Sequence, residues 1–183
     1  SLREKMYFLY VGYVISVGIW IGSDLGWTTQ FLWPNATLWK NIVFTVSLAS
    51  GLCFTNYFAI HLLHIKNRRS FYYRVLTYIS IISATLGLLS FFISYAFSII
   101  SLTAIFFITT FVLFYIGLRE MLNGNKAAKY FCLAFFGLLI ACCIQILTKS
   151  GFLPRNSITT VALQIGVVLE VCLFSLALAA RIK

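Results

Sequence analysis

Glu170 is the residue of this sequence best placed to do chemistry, because it is a carboxyl near the middle of the uninterrupted apolar run 159–180. At the centre of a bilayer a charged side chain costs about 2.5–3.5 kcal/mol on insertion scales, so this group must face protein or be protonated. Helical spacing provides an inward face: Leu163, Gly166, Glu170, Leu173, Ala177 and Ala180 recur at intervals of three and four, and their small members permit close approach of a second helix. Val161, Ile165, Val168 and Cys172 cover the opposite face. Two readings stay open. Glu170 is either the acceptor in a signal-responsive hydrogen-bond network or a carboxyl that holds helices together. Gln164 and Gln145 are its candidate partners, Gln145 lying on a comparable stripe of Ala134, Gly137, Ala141 and Thr148. Asn56 is a third candidate for the same interior, since an uncompensated amide in hydrocarbon is unfavourable. For each of the three the alternative is plain helix packing.

Other chemistry is sparse. His61 and His64 share a helix face, as a metal or haem site could require, yet no third ligand is apparent, and beside Lys66, Arg68 and Arg69 they read as interfacial. The five cysteines, Cys53, Cys132, Cys142, Cys143 and Cys172, lie in apolar runs without a CxxC pair or zinc-like spacing, so they read as packed hydrophobes. The four acidic residues are spread over four regions, and no nucleophile is paired with a base. The expectation is a chain with no catalytic residue, metal or other cofactor.

The composition decides which solvent positions these groups. Of 183 residues 61% are hydrophobic, 17% aromatic and only 10% charged, with a mean hydropathy of +0.96. A soluble fold of this size carries roughly a quarter of its residues as charges, so neither a water-facing domain nor a disordered chain fits. The net charge of +10 does not imply nucleic acid, because the basic residues are scattered between apolar runs too long to be groove-reading elements. The partner is the lipid bilayer.

A hydrocarbon core about 30 Å thick needs roughly 20 apolar residues as helix, and six stretches qualify. They are approximately 6–26, 41–65, 75–97, 98–118, 130–148 and 159–180. The third and fourth run together without a charge through Ser94-Tyr95-Ala96-Phe97-Ser98, where a tight re-entry is expected. The positive-inside rule then assigns sides. Arg3, Lys5, Lys66, Arg68, Arg69, Arg74, Arg119, Lys126, Lys129, Arg181 and Lys183 fall on one side, the cytoplasm, and only Lys40, Lys149 and Arg155 on the other. An even number of crossings with both ends inside follows. The fold class expected is all-α, a polytopic membrane helix bundle forming one domain over residues 1–183. Trp27, Trp33 and Trp39 cluster around the first outer loop with Pro34, where indoles favour the headgroup region, and Pro154 sits in another outer loop. Gly18, Gly22 and Gly26 form a small-xxx-small series in the first span, suited to a homodimer or to packing within the chain, with Asp24 beside them near the outer boundary. No signal-peptide pattern precedes the first span, and the chain reads as a piece of a longer protein.

Several segments are familiar together. They are Arg3-Glu4-Lys5-Met6-Tyr7-Phe8-Leu9-Tyr10, Gly26 with Gln30-Phe31-Leu32-Trp33-Pro34, and Gly124-Asn125-Lys126-Ala127-Ala128-Lys129-Tyr130-Phe131. The closing stretch is the most specific: Gly151-Phe152-Leu153-Pro154-Arg155-Asn156, then Gln164, Gly166, Glu170, Ser175 and Leu176-Ala177-Leu178-Ala179-Ala180-Arg181-Ile182. Nearly end to end, the chain resembles the membrane region of the bacterial seven-transmembrane receptors with diverse intracellular signalling modules. The resemblance implies an extracytoplasmic, jelly-roll-like sensor domain for carbohydrate-like ligands before the helices. It also implies a cytoplasmic coiled coil leading to a histidine kinase, a diguanylate cyclase or a similar output after them, as in two-component signalling. With six spans rather than seven, the simplest reconciliation is that the family's first helix lies upstream of Ser1 and that these are the second to seventh. Two positions depart from the family pattern, Glu4 and Ala180. The function expected is a non-catalytic transmembrane relay in the bacterial inner membrane, its C-terminus cytoplasmic, acting through the last helix. The alternative is a permease or channel component, although no proline-broken helix or internal repeat points to transport.

Overall fold

A computed structural model describes residues 2–27, 37–63, 65, 70–154 and 156–182 of the chain. Residues 28–36, which hold Gln30, Trp33 and Pro34, lie outside the described residues, as do His64, Lys66, Arg68, Arg69, Arg155 and Lys183. The elements are α1 (Leu2–Asp24), α2 (Thr37–Leu62), α3 (Ser70–Leu89), α4 (Tyr95–Leu122), α5 (Lys126–Lys149), a single turn α6 (Ser157–Thr160) and α7 (Ala162–Ile182). No strand occurs among the described residues. The six long helices are each long and apolar enough to cross a membrane. The protein is an all-α, multi-pass bundle.

Lipid explains both what these helices bury and what they expose. Hydrocarbon offers no hydrogen bonds, so hydroxyls within the spans turn to backbone carbonyls of their own helices. Ser16 donates to the Gly12 carbonyl at 2.8 Å, Thr55 to Gly51 at 2.9 Å, Ser80 to Leu76 at 2.8 Å and Ser83 to Ile79 at 2.8 Å. Outward, Phe8 is 72% exposed and Ile100 69%, a pattern that water would not tolerate and acyl chains do.

The helices form two compact units, Ser1–Thr109 and Thr110–Lys183, and α4 contributes its first part to one and its second to the other. In the first unit α2 is central, packed by α1 and by α3. Half of its apolar window is buried, against 22% for α3. Close approach is made possible by glycine: a Cβ on Gly87 would lie 2.7 Å from that of Ala49, and one on Gly12 would meet the Phe54 ring at 2.7 Å. Polar contacts reinforce the packing. The Ser50 hydroxyl donates to that of Ser16 at 3.1 Å, and the Cys53 thiol donates to the Ser80 carbonyl at 3.3 Å. Leu102 of α4 packs with Ala49 and Leu52.

Between α3 and α4 the chain turns at 90–94, four residues before the re-entry that the sequence places at Ser94–Ser98. The reason is local hydrogen bonding. Phe92 and Ile93 both donate to the Leu89 carbonyl, the Ser90 hydroxyl donates to Gly87 at 2.7 Å, and the Ser94 carbonyl accepts from Ser98 as α4 begins.

In the second unit α5 and α7 pack along one another, and two glycine turns set their ends. Gly124, at φ +86°, closes α4: Gly124 donates to the Met121 carbonyl and Asn125 to that of Glu120. Asn125 then caps α5, its side-chain oxygen accepting from the Ala127 amide at 3.1 Å. At the other end Gly151, at φ +81°, closes α5, with Phe152 and Leu153 donating back to Leu147. Asn156 follows: its amide donates to the Thr159 hydroxyl, and its carbonyl accepts from Thr159, Thr160 and the Thr160 amide. Gly151, Leu153, Pro154 and Asn156 thus belong to the turn that leads into the last helix, and α7 starts at Ala162, three residues later than the sequence suggests.

Candidate functional site

The seam between α5 and α7 contains Glu170. On α7 the buried positions are Ala162, Gly166, Val167, Glu170, Phe174, Ala177 and Leu178. Ile165, Val168 and Cys172 face outward. The buried seam is rotated slightly from the stripe read in the sequence, because Leu163, Leu173 and Ala180 are only half-buried while Phe174 is fully enclosed.

Gly166 fixes how close the two helices come. A Cβ placed on it would lie 2.5 Å from the Cβ of Ala141, and the Leu138 Cα and Gly137 carbonyl oxygen are each 3.8 Å from the same point. Gly137 makes the reciprocal contact, where a Cβ would meet the Leu169 side chain at 3.0 Å. One turn beyond this contact Glu170 is 2% exposed, and Cys142 on α5 is buried as well. A carboxyl in such a seam is sensitive to small displacements, because in a low-dielectric interior its energy depends strongly on the positions of nearby dipoles.

Toward the C-terminal end of α7 the seam becomes aromatic. Phe174 stacks on Phe131 with ring centroids 5.4 Å apart and planes 3° apart, and both rings contact Phe135, at 4.8 Å from Phe131 and 5.7 Å from Phe174. All three are among the most deeply buried side chains of the chain. Gly117 of α4 gives Phe131 its room, since a Cβ there would meet the ring at 2.9 Å, and Phe114 stacks on Phe136 at 6.2 Å. Ala128, Ala134 and Ala177 on the same two helices are each 0% exposed. Such pairs contribute about 0.5–1.5 kcal/mol each beyond the area they bury.

The structure distributes the polar residues singled out by the sequence between the two units. Glu170, Gln164 and Gln145 all lie on the packed pair α5 and α7, Gln145 and Gln164 half-buried, with the Gln164 amide oxygen enclosed. Asn56 lies on α2 in the other unit, 0% exposed, and neither atom of its amide hydrogen-bonds to a described residue. Of the three glycines of the first span, Gly18 is exposed with nothing within 4 Å of a Cβ placed on it, Gly22 is half-buried, and Gly26 at φ +80° ends α1 in a turn. His61, half-buried, borders a cleft with α1.

Two buried residues escape sequence reading. Phe174 falls on neither stripe, and nothing in the sequence separates an aromatic facing a helix from one facing lipid. Glu120 is 4% exposed at the end of α4, beyond Arg119, where a charge makes the span look finished.

A model of the family described as 7TM diverse intracellular signalling matches residues 1–181. No curated protein and no solved structure matches the chain.

Proposed function

Because the chain belongs to the 7TM diverse intracellular signalling family, a transmembrane signalling region of the receptor type, we propose that it relays an extracytoplasmic stimulus through α7 to a cytoplasmic output domain. That output is a domain such as a histidine kinase or a diguanylate cyclase, and the chain itself supplies the coupling and no chemistry. In this reading the protein sits in the bacterial inner membrane with the C-terminus of α7 in the cytoplasm, and a second copy of the receptor supplies the paired output domain.

One observation carries the proposal: Glu170 is buried in the α5–α7 seam, one helical turn from the tight Gly166 contact on one side and from the Phe174 stack on the other. A helix that leaves the membrane as a continuous rod transmits a shift or rotation if its packing has two arrangements of similar energy. Exchanging the hydrogen-bond or charge partner of a buried carboxyl is a perturbation of the size needed, since about 1.4 kcal/mol changes a two-state ratio tenfold. The tight Gly166 contact serves as the fulcrum and the aromatic cluster as the element that reads the new position of α7.

Glu170→Gln in the full-length receptor keeps the side-chain shape and removes the ionisable group. The expected result is a basal output shifted by about fivefold or more in either direction, with normal protein level in the membrane. Basal and stimulated outputs both equal to those of the parent would remove Glu170 from the relay.

A further inference from the structure

At the first turn of α1 and the last turn of α2 the chain forms a cleft of about 360 Å³ lined by Glu4, Lys5, Phe8, Leu9 and His61. Its lining is graded along α1. Glu4 and Lys5 lie at the end of α1, whereas Phe8 and Leu9 lie one helical turn, about 5.4 Å, deeper on the same helix face. Charged groups above and an aromatic and an aliphatic side chain below reproduce the order of a phospholipid, headgroup over glycerol and acyl chains. Phe8, 72% exposed, extends that apolar wall into the surrounding lipid. The volume lies within the range of small-molecule sites, about 300–1,000 Å³.

From this geometry we infer that the cleft is a binding site for one phospholipid with a primary-ammonium headgroup, phosphatidylethanolamine. The charges select it. Lys5 and the imidazole of His61 offer donors to the phosphodiester, and the Glu4 carboxylate accepts from the ammonium group. Phosphatidylcholine brings a quaternary ammonium with no N–H to donate. Phosphatidylglycerol satisfies Lys5, and its headgroup hydroxyls donate to the Glu4 carboxylate as neutral donors, which are weaker than an ammonium. The shared polar chemistry is phosphoethanolamine, and the apolar lower half of the cleft assigns it to the lipid rather than to the free headgroup. The site ties the end of α1 to the end of α2 on one membrane face, and it stands whether or not α7 is the relay.

Native mass spectrometry of the full chain, released from detergent after equal exposure to the three lipids with matched acyl chains, tests the assignment. One phosphatidylethanolamine is expected to be retained about tenfold more than phosphatidylcholine. Glu4→Gln should bring that preference close to parity, Glu4→Asp should keep it, and Lys5→Ala should lower retention of all three lipids. Leu9→Trp, which fills the apolar floor, should abolish the selective retention, and it decides the question if a Glu4 variant does not fold. Equal retention of phosphatidylethanolamine and phosphatidylcholine, a preference for phosphatidylglycerol, or a preference unchanged in Glu4→Gln would each overturn the site. So would displacement by water-soluble glycerophosphoethanolamine at the concentration of the lipid itself, since the acyl chains would then contribute nothing.

Discussion

Gly166→Ala adds one methyl group at the tightest point of the α5–α7 seam, and the geometry gives both the sign and the size of its effect. The new Cβ would start 2.5 Å from that of Ala141, whereas carbon atoms pack best at about 3.5–4.0 Å, so the helices must separate by roughly 1 Å. A gap of that size forfeits a quarter to a half of each contact along the seam, and overpacking of this kind costs about 1–3 kcal/mol. Alanine returns up to about 1 kcal/mol through its higher helix propensity. The net effect is a destabilisation of about 0–2 kcal/mol, up to roughly 30-fold in the folded-to-unfolded ratio, which leaves Gly166→Ala about 1–3 kcal/mol less stable than an alanine that gains propensity alone. The same change at Gly18 has the opposite sign, because nothing lies within 4 Å of its Cβ position and only the propensity gain remains. Equilibrium unfolding of the full chain in mixed micelles with increasing dodecyl sulfate, followed by far-ultraviolet circular dichroism, reads both variants. Ala141→Gly in the Gly166→Ala background should recover most of the loss, a coupling of about 1–2 kcal/mol. If Gly166→Ala is as stable as Gly18→Ala, and the cycle with Ala141→Gly is additive, the seam is not packed as described.

Phe174→Ala should destabilise by about 3 kcal/mol in the same assay, the lower end for a buried Phe→Ala, because a chain unfolded within lipid already shields its apolar surface from water and only packing and cavity terms remain; Phe174→Leu should cost less than half as much. Sidedness is checked with single cysteines at the exposed positions Arg74, Lys126 and Asp24, placed in a background without the native five. In intact cells an impermeant maleimide should label only the one at position 24, and labelling at 74 or 126 would reverse the topology.

Much of the fold was legible because lipid imposes a simple rule. Backbone groups must be satisfied within each segment, so length, the lack of proline and the lack of charge were enough to locate the long helices. Glu170 could be assigned to an interior for the same reason, as the one carboxyl in the middle of an apolar run. What stayed hidden depends on contrast between core and surface, which an apolar solvent removes. Phe174 at 0% exposure and Phe92 at 88% are the same residue type in equally apolar surroundings, and hydrophobic periodicity cannot tell them apart. The turn at Ser90–Ser94 was missed on similar grounds, since Phe91, Phe92 and Ile93 read as continued span although their amides close a turn on Leu88 and Leu89. Glu120 was passed over because charge ends a span in a sequence scan, while in the structure α4 carries it to a buried position. Gly124 and Gly151 stood out only as parts of a family-like pattern; their left-handed backbone at φ +86° and +81° supplies the physical reason.

The relay through α7 is tested most directly by inserting one, two, three or four alanines after Ala180 in the full-length receptor and measuring output in cells. Each added residue turns whatever follows by about 100° relative to the bundle. If α7 transmits its orientation as a continuous helix, output should rise and fall with the number inserted and return toward the parent value at three or four. Output that declines steadily with length, or does not change at all, would contradict the account.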